Sequence, residues 1–142
     1  MTVSIRERLI AAVCTAMGAQ YSKTPIDELT TLTPNDVSDG ADTATTGYDL
    51  TECTMPITVG RAEAIASGDV NNPAAQRTQA NAALAKLITD MHAGGDFTGL
   101  CRSCIYTGGS IELQADSFIV ATANFELLYQ HARGQPGTQF PT

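Results

Sequence analysis

The first regular pattern along the chain is an apolar stripe that begins directly after Ser4. Apolar residues recur there at three- and four-residue steps, which is the spacing of one helix face. Ser4 and Glu7 form the pair in which a hydroxyl and a carboxylate accept hydrogen bonds from the first free amides of a helix. Gly18 suits the left-handed position that ends one. The pattern predicts a helix over residues 4–17.

A second helical stripe follows the dipeptide Asn72-Pro73. Asparagine is a favoured N-cap, and proline is favoured in the first helical turn. The two glycines at Gly94 and Gly95 end the pattern, so a helix is predicted over about residues 73–93. The apolar residues of the stripe are Ala80, Ala83, Leu84, Leu87, Ile88 and Met91.

The first strand signal is a two-residue alternation that starts at Thr51. Apolar residues occupy the odd positions from 53 to 59, and polar residues or proline occupy the even ones, as in a half-buried strand. Pro56 cannot donate a hydrogen bond to a neighbouring strand, so we expect it at a sheet edge or a bulge.

The last third of the chain predicts antiparallel strands. Segments 100–107 and 110–114 flank Gly108-Gly109, a pair that suits a two-residue hairpin turn. A second turn is predicted at 115–116, followed by a strand with an apolar face at alternate positions from 119 to 129. Thirteen residues span roughly 43 Å, which is longer than usual. We therefore expect this strand to bend or to pair beyond its own sheet.

These elements predict an α+β fold: a mostly antiparallel sheet with two helices packed on one face. Residues 23–50 are rich in Thr, Asp, Pro and Gly and are expected to form a long loop, with one short strand or turn near 26–32. The tail at 133–142 is expected to be coil. The residues predicted to lie in the core are Leu84, Leu87, Ile88, Ile119, Phe125 and Leu127.

Composition places the chain among globular proteins of one domain, residues 1–142. It has 43% hydrophobic and 16% charged residues, too apolar for a disordered chain. No apolar run is long enough for a membrane span, and the N-terminus lacks a secretory pattern, so we expect cytosolic synthesis. A net charge of −7 and the absence of Trp argue against nucleic-acid binding, which needs cations and stacking platforms.

Cys101 and Cys104 form the sharpest short motif, because C-x-x-C occurs in dithiol redox pairs and in zinc sites. A structural zinc site needs four ligands, and Cys14 and Cys53 stand alone at predicted core positions. A strand would point residues 101 and 104 to opposite faces. We therefore predict two small apolar side chains, with a thiol or metal protein as the alternative.

The remaining candidate sites carry no catalytic prediction. His92 falls in the last turn of the second helix, where a cationic ring suits the helix dipole, and His131 is expected to follow the last strand, exposed. A calcium loop with Gly40 at its sixth position places Val37 where an oxygen ligand is required. The glycines match no nucleotide-binding loop. The sequence therefore predicts no enzyme, no metal and no cofactor.

Four segments, taken in order, resemble one protein family. They are SIRERLIAA at 4–12, the alanine-rich second helix, DFTGLC at 96–101, and FELLY at 125–129 before RGQP at 133–136. Over about 100 of the 142 residues the chain resembles the tail terminator proteins of long-tailed bacteriophages. It departs from that family at 23–50, where members often have a compact strand.

The resemblance implies a structural protein of the virion, located at the junction of tail and neck. It implies a six-fold ring of identical subunits that caps the tail tube protein, stops its polymerisation and offers its other face to the head-side connector. DNA would pass through the ring without sequence-specific binding. The alternative within the same virion is another ring-forming neck or tail-completion protein.

Three features of the residues suit such a ring. The edge of an overlong strand offers backbone donors and acceptors to a neighbour, an acidic loop can become ordered on a partner, and negative charge repels DNA in a channel. The residues expected to face partners are Asp36, Asp39, Asp42, Arg133, Gln135 and Phe140.

Overall fold

The structure is a computed structural model. It describes residues 3–21, 30–33, 40–41, 50–65, 68–69, 71–97, 99–114, 118–132, 135 and 137.

The first helix, α1, spans Ile5–Met17. The Ser4 hydroxyl accepts a hydrogen bond from the Glu7 backbone N–H at 3.1 Å, and Gly18 ends the helix in the left-handed region at φ 60°. Both caps confirm the sequence prediction. The buried residues of α1 are Ile5, Leu9, Ile10 and Val13.

The second helix, α2, spans Pro73–Ala93, as predicted. The Asn72 side chain accepts a hydrogen bond from the Ala75 backbone N–H at 3.2 Å, which satisfies one of the free amides of the first turn. Four residues of the predicted stripe are buried, together with Gln76, and the other two are partly buried against the same core. The buried four are Ala80, Ala83, Leu87 and Met91; the partly buried two are Leu84 and Ile88.

In the residues that the structure describes, six strands form one sheet, and all neighbouring pairs except the first are antiparallel. The strands are β1 (Gln20–Tyr21), β2 (Thr30–Thr33), β3 (Gly40–Ala41), β4 (Leu50–Ala64), β5 (Ser103–Gln114) and β6 (Phe118–Ala132). The order is β1-β2-β4-β6-β5, and β3 also pairs with β4. The α+β prediction is confirmed, but 23–50 is not a loop throughout, because β2 and β3 lie within it.

The centre of the sheet is the long antiparallel pair of β4 and β6. Each strand has 15 residues, and the register runs from Leu50 opposite Ala132 to Ala64 opposite Phe118. On its other side β6 pairs with β5 from Phe118 to Leu128. The sequence led us to expect that β6 bends or pairs beyond its own sheet. Pairing beyond the sheet is not needed to explain its length, because β4 is longer than the sequence pattern indicated and matches β6 along its whole length.

Pro56 lies in this central pair, opposite Glu126, and not on an edge strand as expected. The other side of β4 pairs with β3 at residues 53–54 and with β2 at 58–61. On that side of β4, position 56 falls in the gap between these two short strands, where neither of them needs a backbone N–H from it.

Gly108 and Gly109 do not form a hairpin turn. Strand β5 runs through both glycines, and a register shift between Tyr106 and Gly108 leaves Thr107 as the extra residue of a bulge. The chain reverses instead between Gln114 and Phe118, which face each other. The second predicted turn, 115–116, falls in that interval but outside the described residues.

The core lies between the two helices and one face of the sheet. The odd-numbered residues of β6 from 119 to 129 are all buried, as their alternation predicted. Residues of α1, α2, β2, β4 and β6 belong to the same apolar cluster. Of the predicted core residues, Leu87, Ile119, Phe125 and Leu127 are buried.

Candidate interaction edge

Strand β5 ends the sheet on the side away from β1. In the part of the chain that the structure describes, β5 pairs with β6 on its inner side, and no strand pairs with its outer side. An edge strand of this kind presents backbone N–H and C=O groups to whatever approaches it. Its 12 residues exceed the usual strand length of about 5–6, so the edge is long enough to pair with another strand.

The side chains of this edge are unusually apolar for an exposed strand. Ile105 is 49% exposed, Tyr106 37% and Leu113 38%. The strand carries one charged residue, Glu112, and neither lysine nor proline, the residues that commonly protect an edge from pairing. The bulge at Thr107 is the remaining protective feature. We call the outer side of β5, Ser103–Gln114, the open edge.

Tyr106 connects the open edge to the core. It faces Phe125 in the register of β5 with β6, and the two ring centroids are 5.6 Å apart in a tilted arrangement. The Phe125 ring therefore supports one side of the Tyr106 ring, while part of the Tyr106 side chain remains exposed. A residue with a fixed aromatic ring and a polar tip is a common anchor of protein interfaces.

The sheet face opposite the helices, which we call the polar face, carries polar side chains at its centre and apolar ones, such as Val120, toward its ends. The even-numbered residues of β6 point to this face, and Asn124 accepts a hydrogen bond from the Thr58 hydroxyl of β4 at 2.6 Å. Glu126 on the same face is exposed. This polar face forms a second surface, distinct from the open edge.

An ion pair joins the polar face to the start of β5. Glu52 is 3% exposed, and its Oε2 atom accepts hydrogen bonds from Arg102 Nη1 at 2.5 Å and from Gln130 Nε2 at 2.8 Å. Breaking a buried pair leaves an uncompensated charge, which is costly. The contact therefore fixes the turn before β5 against β4 and β6.

Cys101 and Cys104 do not point to opposite faces of a strand. Strand β5 begins only at Ser103, so Cys101 lies in the preceding turn, and both thiols contact the same apolar core. Burial raises the pKa of the Cys101 thiol from 9.0 to about 11, although two hydrogen bonds with the backbone lower it in part. Burial, with a smaller contribution from Cys101, raises the pKa of Cys104 to about 12. Protonated thiols are poor nucleophiles and poor metal ligands.

These raised pKa values predict how stability changes with pH. The folded protein holds both protons more tightly than the unfolded chain, so the thiols do not affect stability below about pH 9 and destabilise the fold as pH rises toward 11 and 12. The free energy of unfolding, measured in urea from about pH 8 to about pH 10.5, should fall more steeply with pH in the parent than in a Cys101→Ala, Cys104→Ala variant. The same pH dependence of stability in both proteins would contradict the raised pKa values of the two thiols.

The two histidines have structural surroundings. His92 lies in the last turn of α2, as predicted, where its Nδ1 is 3.0 Å from the Ile88 carbonyl oxygen. Its ring packs edge-on against Phe125 at 5.9 Å. His131 lies within β6 and is partly buried, so the expectation that it follows the strand is wrong. Among the described residues, no group of three His, Cys, Asp or Glu side chains is placed to hold a metal ion.

Most residues expected to face partners cannot be placed. Gln135 is exposed, and two residues later the Gly137 carbonyl accepts a hydrogen bond from the Arg8 guanidinium of α1. The other five lie outside the described residues: Asp36, Asp39, Asp42, Arg133 and Phe140. The sequence did not predict the open edge, because Gly108-Gly109 suggested a turn in the middle of that strand.

Comparison with known proteins does not assign the chain to a family. No family model matches the chain, and no curated protein matches it. Neither described helix is long and apolar enough to cross a membrane. The open edge and the polar face are therefore the features from which a function can be inferred.

Proposed function

We propose that this chain is a structural subunit of a bacteriophage tail, a tail terminator that assembles into a closed ring. The ring caps the tail tube, stops its polymerisation and offers a joining surface to the head-side connector. The observation that supports this proposal is the open edge of β5, which is long, carries one charged residue and exposes three large apolar side chains.

The open edge suits contacts between identical subunits. A ring forms when one patch of each subunit binds a different patch of the next and the rotation closes. Strand addition to an edge supplies a row of backbone hydrogen bonds, and the apolar side chains beside them supply buried area. Ile105, Tyr106 and Leu113 are the side chains we assign to this contact.

A ring inserted between tube and connector also needs surfaces above and below the subunit contact. The polar face of the sheet and the outer sides of the helices provide two such surfaces on opposite sides of the subunit. Interfaces that form late and selectively are commonly polar and hydrated. The net charge of −7 disfavours adhesion of DNA to a ring through which the genome passes.

The proposed partner contacts extend beyond the open edge. We assign Asp36, Asp39 and Asp42 to contacts with the tail tube or the connector, since carboxylates in a Thr-rich segment can pair with basic groups. The C-terminal residues Arg133 and Gln135 are assigned to the same surfaces.

The experiment that tests this function is electron microscopy of the purified protein mixed with tail tubes. A ring at one end of each tube is expected. Ile105→Glu, which places a charge on the open edge, should abolish rings. Val3→Glu changes an equally exposed apolar residue, 52% exposed against 49%, before α1 and should leave them intact. Uncapped tubes with the parent protein would contradict the proposal.

The same mixture of purified protein and tail tubes distinguishes two alternative functions. Another neck or tail-completion ring would bind connectors or finished heads but leave tube ends bare. A thiol or metal protein built on Cys101 and Cys104 would lose its function in a Cys101→Ser, Cys104→Ser variant, whereas a terminator with those substitutions should still cap tubes. The raised thiol pKa values argue against the thiol or metal protein.

A further inference from the structure

A single inserted residue divides the open edge into two stretches. The register of β5 with β6 shifts by one residue between Tyr106 and Gly108, and Thr107 is the extra residue. Residues 103–106 and 108–114 each continue a regular antiparallel ladder on β6. Removing one residue at this point would therefore leave a continuous strand in which every remaining pair with β6 keeps its partner.

The insertion is held in place by its own contacts. The Thr107 hydroxyl donates a hydrogen bond to the Asn124 carbonyl oxygen of β6 at 3.2 Å. Gly108 follows with φ 154°, a backbone conformation that glycine adopts more readily than residues with a side chain. The bulge is therefore a built feature of β5, supported by one hydrogen bond and one glycine.

The bulge changes which backbone groups reach the outer side of β5. Along a strand in an antiparallel sheet, residues bond alternately to the neighbour on one side and to the neighbour on the other. Pairing with β6 fixes this alternation, and the shift at Thr107 reverses it. The outward N–H and C=O groups of 103–106 are therefore out of phase with those of 108–114. A regular strand from outside can bond to one stretch but not to both.

Without the insertion, the open edge would match the open edge of a second copy. Two antiparallel β5 strands related by a two-fold axis at Gly109 would pair along their whole length. Tyr106 would then lie opposite Ile111 of the second copy, and Cys104 opposite Leu113. All four residues face odd-numbered residues of β6 and so lie on the helix side of the sheet. Cross-strand apolar pairs of this kind stabilise a sheet, and the two-fold axis repeats each of them.

With the insertion present, the longer of the two stretches in phase is 108–114. Paired antiparallel with the same stretch of a second copy, it sets Leu113 opposite Gly109. Ile105 and Tyr106, which are 49% and 37% exposed, lie beyond its end. The apolar side chains of the two edges then meet only in part, so a two-fold pair buries much less apolar area.

We infer that Thr107 determines the specificity of the open edge: it prevents β5 from pairing with β5 of a second copy. Such a pair is closed, because each subunit uses the same patch and no edge remains for a third. A ring instead requires the edge to bind a different patch of the next subunit. The inference rests on the proposed function in this respect, since the contact for which the edge is kept free is the ring contact.

Sedimentation of the free protein, without tail tubes, tests this role. Deletion of Thr107 should lower the dissociation constant of a dimer by at least about tenfold relative to the parent. Deletion of Gly108 should do the same, because Thr107 then takes its place opposite Asn124 and the ladder becomes continuous. Thr107→Ser retains both the extra residue and its hydroxyl, so its dissociation constant should equal that of the parent.

The register of the expected dimer has its own test. Ile105 would lie opposite Glu112 of the second copy, on the polar face. Added to the deletion of Thr107, Ile105→Glu places two carboxylates opposite each other and should weaken the dimer. Ile105→Lys in the same background pairs opposite charges and should retain it. Circular dichroism establishes that each variant keeps the parent fold.

The inference would be overturned if both deletions left the dissociation constant unchanged, or if the Glu and Lys substitutions had equal effects. Loss of the fold in both deletion variants would also overturn it, because every remaining pair with β6 is expected to keep its partner. Electron microscopy of the parent with tail tubes separates this result from the proposed function. Capped tubes beside unchanged dimerisation would overturn only the specificity role of Thr107, and bare tubes beside tighter dimers of the deletion variants would overturn only the ring.

Discussion

Replacing Phe125 with alanine is expected to lower the free energy of unfolding by about 3–5 kcal/mol. Phe125 is 1% exposed and lies in β6 between Ile57 of β4 and Tyr106 of β5. Its ring also contacts His92 of α2. The substitution removes contacts with two strands and a helix at once, and rigid strands on both sides limit how far the cavity can close.

Urea unfolding followed by circular dichroism measures this loss. The matched control is Glu126→Ala, which alters the next residue of the same strand on the exposed face and should change stability by at most about 0.5 kcal/mol. If Phe125→Ala cost no more than the control, Phe125 would not be the centre of the core. The unfolding slope should stay similar in both variants, since neither changes the extent of the sheet.

Gly109→Ala is expected to destabilise the fold by about 1–3 kcal/mol through overpacking. A Cβ at this position would lie 2.8 Å from the Thr122 carbonyl oxygen, 2.6 Å from the Tyr106 hydroxyl and 3.0 Å from Leu84 Cδ1. The tyrosine tip and the leucine methyl are ends of flexible side chains and can move aside at little cost. The Thr122 carbonyl belongs to the backbone of β6, so it cannot retreat without shifting that strand.

Thermal unfolding of Gly109→Ala beside Gly68→Ala provides the test. Nothing lies within 4 Å of a Cβ at Gly68, so that control should change the melting temperature little or raise it slightly. A fall of several degrees is expected for Gly109→Ala alone. Similar melting temperatures for the two variants would show that the bulge of β5 leaves room for a methyl group.

The sequence predicted those elements whose signals are local. Ser4, Asn72 and Gly18 act on amides and carbonyls within a few residues, so the helix boundaries followed from cap chemistry alone. The alternation in β4 and β6 likewise predicted which residues are buried. These signals depend on residues near in sequence, and in these elements the tertiary contacts agree with them.

The sequence failed where strand pairing is long-range. Gly108-Gly109 has turn chemistry, but pairing with β6 holds both glycines in a strand. Pro56 appeared to need an edge, because the gap between β2 and β3 is visible only in the assembled sheet. The open edge was not predicted for the same reason, since no single segment of the sequence determines the order of strands in a sheet.

The pairing of β4 with β6 also has a consequence for biosynthesis. The partner of β4 is separated from it by α2 and β5, and such distant pairing slows folding. While the ribosome is still making the second half of the chain, β4 has left the exit tunnel with its apolar row and without its partner. Chaperone binding and aggregation are favoured in that interval, and slower translation between β4 and β6 should lower the soluble yield.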